Sequence, residues 1–170
     1  DTAYQSLLKS TRLQYHQQIA QVLEGQFPNT IETQPELLAH HYTEARLIKQ
    51  AIPYWQQAGQ KATRRSAYVE AISHLTMGLE LLELLPDTTE RAQQELLLQV
   101  TLGTALMATQ GYAAPDVGKV YARARELCGQ VGGPAQRISV LWGLMAFYAV
   151  RDELRTAREL GEYLVGSAQN

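Results

Sequence analysis

The chain has 170 residues, 45% of them apolar, and a formal net charge of -2, with an isoelectric point near 6.1. That length and apolar content support a sizeable buried core and exclude a disordered segment, while the near-neutral balance leaves no electrostatic footprint for nucleic acid or an anionic membrane as partner. Leu, Ala, Gln and Glu dominate and only Phe27 and Phe147 represent phenylalanine, so an all-α protein is expected.

Cys128 is the only cysteine. An internal disulfide is therefore impossible, and the thiol reads as a small packed hydrophobe in a reducing, cytoplasmic setting. No window reaches the ~18 consecutive apolar residues of a membrane span. The start DTAYQSLLKS lacks the basic and apolar blocks of an export signal. The absence of an initiating Met, and the end GSAQN within a helical pattern, suggest a piece of a longer polypeptide.

In chain order, residues 3–26 read as one long helix. Tyr4, Leu8, Tyr15, Ile19, Val22 and Leu23 recur at helical spacing, Lys9, Arg12, Gln17, Gln18 and Gln21 lie opposite, and Phe27-Pro28-Asn29 closes it. Pro35 and Glu36 open a second helix over 34–46 with Leu38, Ala39, Tyr42 and Ala45 on one face. The third, 48–65, carries Pro53 near its start, where a lost donor costs a small bend and no break. The fourth, 67–85, buries Ala71, Ile72, Leu75, Leu79 and Leu82 and stops at Pro86-Asp87. Asp87-Thr88-Thr89-Glu90 supplies capping chemistry for a fifth, 89–110. Gly111-Tyr112-Ala113-Ala114-Pro115 is a loop before the sixth, 116–130, and Val131-Gly132-Gly133-Pro134 is the strongest break in the chain. Helices over 135–150 and 153–168 complete the set.

The stretch from Ala51 to Pro86 contains the clearest recurring pattern. Trp55, Ala58, Gly59 and Ala62 follow the spacing W-x2-L-G-x2-Y, with Ala71 nine residues on and Leu75 four further. This is the skeleton of a tetratricopeptide repeat: small residues at Ala58, Gly59 and Ala71 let two helices cross closely. The same frame fits Leu38 to Tyr42 with Ala51, then Gln99-Leu102-Gly103 with Tyr121 and Ala124, then Leu141 to Tyr148 with Ala157. Frame starts at Trp55, Gln99 and Leu141 lie 44 and 42 residues apart, against about 34 in a standard repeat. The expected architecture is a right-handed, tetratricopeptide-like helical-repeat solenoid of about eight antiparallel helices. It forms one domain over 1–170, in which 1–47 joins an upstream domain and 48–170 makes about three stretched hairpins.

The runs SLLKSTRLQYHQQIAQVLEGQFP (Ser6 to Pro28), PELLAHHYTEA (Pro35 to Ala45), AIPYWQQAGQKATRRSA (Ala51 to Ala67), AISHLTMGLELLELLP (Ala71 to Pro86) and RARELC (Arg123 to Cys128) resemble a known group. It is the C-terminal repeat region of bacterial STAND-type signalling ATPases, often fused to an adenylate or guanylate cyclase or a kinase. The resemblance implies a sensor or docking arm controlling an upstream ATPase or cyclase. No P-loop motif and no paired-Asp cyclase motif occurs in the chain, so the segment itself is expected to be non-catalytic, with no cofactor.

Candidate partner-binding positions follow from the frame, whose first helices line the concave side: Glu36, His40 and Thr43, then Gln56, Gln60 and Thr63, then Leu97, Val100, Thr104 and Met107, then Trp142 and Ala146. A polar first half and an apolar second half suit an amphipathic peptide. The competing reading makes Leu97, Val100 and Trp142 core, and the exposure of the Trp142 indole separates the two. His40 and His41 with Glu36 and Glu44 are the most tempting polar cluster, but His16 and His74 lie on other helices with no predicted convergence, so a hydrogen-bonded pair is expected in place of a metal site. Lys61, Arg64 and Arg65 are either a solvated helix end or a docking patch for an acidic partner. Arg123, Arg125, Arg151, Arg155 and Arg158, interspersed with acids, read as ion-paired surface. The leading expectation is a protein- or peptide-binding regulatory module. A small-molecule effector sensor and a self-association module are the alternatives.

Overall fold

The computed structural model describes residues 9–167. Among them are nine helices and no strand: α1 (Lys9–Gln26), α2 (Pro28–Thr33), α3 (Pro35–Glu44), α4 (Ile48–Arg64), α5 (Tyr68–Glu83), α6 (Thr89–Gln110), α7 (Pro115–Val131), α8 (Pro134–Val150) and α9 (Leu154–Ser167). The all-α expectation holds, with one helix more than expected. Pro28 cannot donate into α1, which therefore stops, yet its fixed φ suits a first turn, and α2 starts on it. Pro35, Pro115 and Pro134 begin α3, α7 and α8 in the same way. The Thr88 hydroxyl caps α6 by accepting from the Arg91 amide at 3.2 Å.

Three of the turns are built alike. Arg46, Ser66 and Asp152 each hold a positive φ of 60–63°. Across them the amides of Leu47, Ala67 and Glu153 donate to the carbonyls of Tyr42, Ala62 and Tyr148 at 2.9–3.0 Å, the six-to-one bond that closes a helix end on a left-handed residue. Each carbonyl acceptor is the last residue of the repeat frame. The α6–α7 connection differs: Gly111, at φ 86°, caps α6 and a longer loop follows.

Each helix from α3 onward packs on the next, and α4 meets α6 and α6 meets α8 directly. α4, α6 and α8 thus form one row and α5, α7 and α9 another. At the heart of each hairpin the two helices cross where a small residue faces a large one. A Cβ on Gly59 would meet the Leu75 side chain at 2.4 Å, and one on Gly103 would meet the Tyr121 ring at 2.5 Å. In the last hairpin the sizes are exchanged: Met145 stands on α8, and a Cβ on Gly161 of α9 would lie 3.4 Å from its sulfur. Tyr121 is also pinned from the other side, since a Cβ on Gly143 of α8 would meet the ring at 2.2 Å.

α1 departs from the sequence reading. Tyr15, Ile19 and Val22 are exposed, while His16 and Ala20 are buried and Leu23 partly so; Tyr4 and Leu8 lie outside the described residues. The helix rotates to satisfy polar groups. Glu24 accepts hydrogen bonds from the hydroxyls of both Tyr42, at 2.5 Å, and Tyr54, whose rings stack 5.7 Å apart. The periodicity of α1 cannot reveal this, because those partners lie 18 and 30 residues away.

With Tyr121 held between two glycines, Gly103→Ala has nowhere to displace the ring. Overpacking should cost about 1–3 kcal/mol, more than the roughly 1 kcal/mol that Ala gains over Gly in a helix interior. Gly129→Ala, with nothing within 4 Å of the added methyl, should show the helix gain alone. Thermal melts followed by circular dichroism should move in opposite directions for the two variants.

Candidate functional site

The row α4, α6, α8 presents equivalent positions side by side: Gln56, Val100 and Trp142, then Gln60, Thr104 and Ala146. Gln56, Gln60 and Thr63 are half-buried on α4, as is Val100 on α6. Leu97 is 37% exposed and Trp142 48%, and Thr104 is exposed. The indole therefore stands at the surface, its ring edge-on to exposed Tyr112 at 6.4 Å. The Thr101 and Thr104 hydroxyls donate back to the carbonyls of Leu97 and Val100, leaving that stripe of α6 with an apolar character. Met107 is only 6% exposed and belongs to the core. Ile138, one turn before Trp142 on α8, is exposed and extends the surface. Its distance from the repeat frame hid it from the sequence.

Glu36, His40 and Thr43 do not join this row. They sit on α3, which packs between α1 and α4. Thr43 Oγ1 accepts from Trp55 Nε1 at 3.0 Å while donating to the Ala39 carbonyl. Glu36 acts electrostatically on His74 of α5, whose ring stacks on Trp55 at 5.4 Å. The frame residues themselves are structural. Leu38, Tyr42, Ala51, Trp55, Ala58, Ala71, Leu75, Leu102, Tyr121, Ala124 and Ala157 are buried, as are Gly59 and Gly103, while Tyr148 is partly so.

The histidines correct the sequence reading in one respect. His16 of α1 converges with His40 and His41 of α3, the three ring centroids standing 5.0–5.8 Å apart. Nδ1 of His16 and Nδ1 of His41 are 2.8 Å apart, so one imidazole donates and the other accepts. That bond requires at least one neutral ring. No arrangement of three or more metal-ligating groups that could hold a metal ion occurs among the described residues. The pKa values of His16 and His41 are lowered, first by desolvation; Glu44 opposes in both cases, His40 adds to the lowering at His16, and His16 and His40 add to it at His41. His74 is lowered by burial, against the pull of Glu36 and Glu70.

The basic cluster is used internally. Lys61 Nζ donates to the Glu32 and Thr33 carbonyls at the end of α2, and Arg65 pairs with Glu70 at 2.5 Å, so two of its three charges serve the fold. Burial pushes the Cys128 thiol up, with Arg137 opposing, which disfavours the nucleophilic thiolate.

No family model matches the chain, and no solved structure matches it. It is similar to an uncharacterized protein of Rhizobium meliloti (strain 1021), 24% identical over 145 residues. The match covers 84% of this chain and 14% of that protein's length. The chain thus corresponds to a small segment of that larger relative.

The histidines determine a pH dependence whose sign is fixed by the direction of their shifts. With folded-state values below the ordinary 6.5, the unfolded chain binds more protons as pH falls through that value, so stability present above it is lost below. The groups facing His16 and His41 are each other, His40 and Glu44 across the α1–α3 contact, with Arg12 one turn from His16 on α1. The melting midpoint should drop between pH 7.5 and pH 5, and His41→Gln should shrink the drop. An unchanged midpoint across that range would contradict the coupling.

Proposed function

We propose that this chain is a non-catalytic, tetratricopeptide-like module, a right-handed solenoid that binds protein or peptide partners and regulates a larger multidomain signalling protein of the STAND ATPase or cyclase type. In this reading 1–170 is one domain, its first 47 residues adjoin the upstream part, and it works in the cytoplasm. The observation that carries it is the row α4, α6, α8. Helices that touch directly set equivalent positions next to one another, and the surface changes from amide side chains at Gln56 and Gln60 to Leu97, Val100 and Trp142 along its length. An amphipathic helix or extended peptide with apolar anchors at one end suits such a surface. Exposed aromatic residues such as Trp142 and Tyr112 are the residue types that dominate binding energy at interfaces. The segmental likeness to a much longer bacterial protein supports a module within a larger chain. No described helix is long and apolar enough to cross a membrane.

Self-association is a second reading, favoured by the apolar stripe Tyr15, Ile19 and Val22 on α1 and by exposed Val150, Leu154 and Val165 at the other end. Uncovered ends of a stack pair readily. Light scattering over a dilution series separates it from peptide binding, a concentration-independent monomer counting against it.

The two tryptophans make the first reading measurable, because Trp55 is buried and Trp142 is half exposed. In a Trp55→Phe background, peptides selected from a random library on the immobilised protein should shift Trp142 emission to shorter wavelength. Leu97→Asp should weaken them by at least about tenfold, the loss of one well-buried apolar anchor. Peptides that bind Leu97→Asp and Trp142→Ala as well as the parent would place their site elsewhere.

A further inference from the structure

Members of the row α5, α7, α9 stand further apart than those of the row α4, α6, α8, and clefts remain between them. One, of about 250 Å3, lies between α5 and α7 across α6. The next, of about 550 Å3, lies between α7 and α9 across α8. They are the same cleft in successive repeats, lined from equivalent positions, which makes the differences in residue type informative.

In the first cleft the interior charge is matched within the protein. Arg123 of α7 reaches Glu95 of α6 with two hydrogen bonds, Nε to Oε1 at 2.7 Å and Nη2 to Oε2 at 3.1 Å. A fork of this kind is the strongest geometry a guanidinium and a carboxylate can adopt. In the second cleft the Glu95 position is Arg137 and the Arg123 position is Tyr163, while the Leu79 position is Arg125. The first cleft, with Glu83 and Arg91 also in its lining, has two carboxylates and two guanidiniums; the second has two guanidiniums and one carboxylate, Glu159. Among the described residues neither Arg125 nor Arg137 has a carboxylate within ion-pair distance. Every other arginine from Arg91 onward does: Arg91 with Asp87, Arg123 with Glu95 and Glu126, Arg151 with Glu153, Arg155 with Glu159 and Arg158 with Glu162. Glu159, which also lines the cleft, is engaged by Arg155 at 3.2 Å. The wall beneath the two arginines is apolar, made by Cys128, Val140, Leu141 and Leu160.

We propose that the α7–α9 cleft binds a small amphipathic organic anion, a carboxylate or phosphate head on an apolar body, with Arg125 and Arg137 taking the head group and the Val140–Leu160 wall taking the body. The bound anion replaces the carboxylate that Glu95 supplies one repeat earlier. A volume of about 550 Å3 falls within the range of ligand pockets, roughly 300–1,000 Å3. Two charge-assisted contacts select the charged head over a neutral one. Its α8 residues, Arg137, Val140 and Leu141, are not those proposed to hold a peptide, so the site does not depend on that reading.

Isothermal titration calorimetry of the purified protein with octanoate, octyl phosphate and octanamide tests the proposal. At least one anion should bind, at least about tenfold tighter than the amide and more weakly as salt rises; the tighter of the two identifies the head group. Combined Arg125→Gln and Arg137→Gln, both at exposed positions, should keep the parent's thermal melt and lose at least about tenfold in anion affinity. Arg137→Glu alone, which puts an acid where the preceding repeat has one, should abolish binding. Trp142→Ala should leave it unchanged. Absence of binding by both anions, equal binding of octanoate and octanamide, unchanged affinity in the arginine variants, or loss of binding in Trp142→Ala would each overturn the proposal.

Discussion

The structure depends on how closely two helices of a hairpin approach at their crossing. Close approach requires that one residue there be nearly absent, so that the other can fill the gap. Gly59 admits Leu75 and Gly103 admits Tyr121, while in the last hairpin the glycine is Gly161 on α9, where a Cβ would make only ordinary contact with the Met145 sulfur. At the first two crossings a bulky side chain of the second helix fills the space of the missing Cβ, as expected of a core packed to crystal-like density. Gly143 extends the constraint to the next hairpin by meeting the far side of Tyr121. One ring thus couples α6, α7 and α8. The order of the stack follows from such contacts, because each hairpin leaves an apolar face that only its neighbour covers.

At the N-terminal end the same chain adds polar contacts to a small apolar seam made by Ala20 and Leu23. Glu24 receives the hydroxyls of Tyr42 and Tyr54, and His16 meets His41, so α1 is held on α3 and α4 by directional bonds while its apolar stripe faces outward. The acceptance of two phenolic protons by one carboxylate holds the neutral tyrosines in place: with burial the larger cause, the Tyr42 pKa is pushed up to about 12 and that of Tyr54 is raised further. Hydrogen bonds specify angle and register more narrowly than apolar contact does, which fits a helix whose place is set by few residues.

The two clefts between α5, α7 and α9 show how repetition and divergence work together. Similar backbones place side chains from equivalent positions around an equivalent space. In one case a carboxylate and a guanidinium satisfy each other across it; in the next, like charges stand over an apolar wall. A departure from the pattern at one position of an otherwise regular array is where function is to be sought.

What the sequence by itself determined is the ladder of helices and their crossings. Proline at Pro35, Pro115 and Pro134, the Thr88 cap and the small residues of the repeat frame act on neighbours within a turn or across one hairpin, so local spacing suffices to read them. The short helix at Pro28 escaped, because a proline that ends one helix can start another. Tertiary structure alone decided the rest. The outward turn of Tyr15, Ile19 and Val22 depends on partners in α3 and α4. The meeting of His16 with His41, across 25 residues, depends on the angle at which α1 lies. The separation of α3 from the α4–α6–α8 row took Glu36, His40 and Thr43 out of the surface where a linear frame puts them. Arg125 reads as ordinary ion-paired surface in the sequence, since acidic residues are plentiful nearby, and the sequence reading does not single out Arg137. The structure shows that Glu126, Glu153, Glu159 and Glu162 are already engaged by other arginines, which charge spacing alone does not apportion.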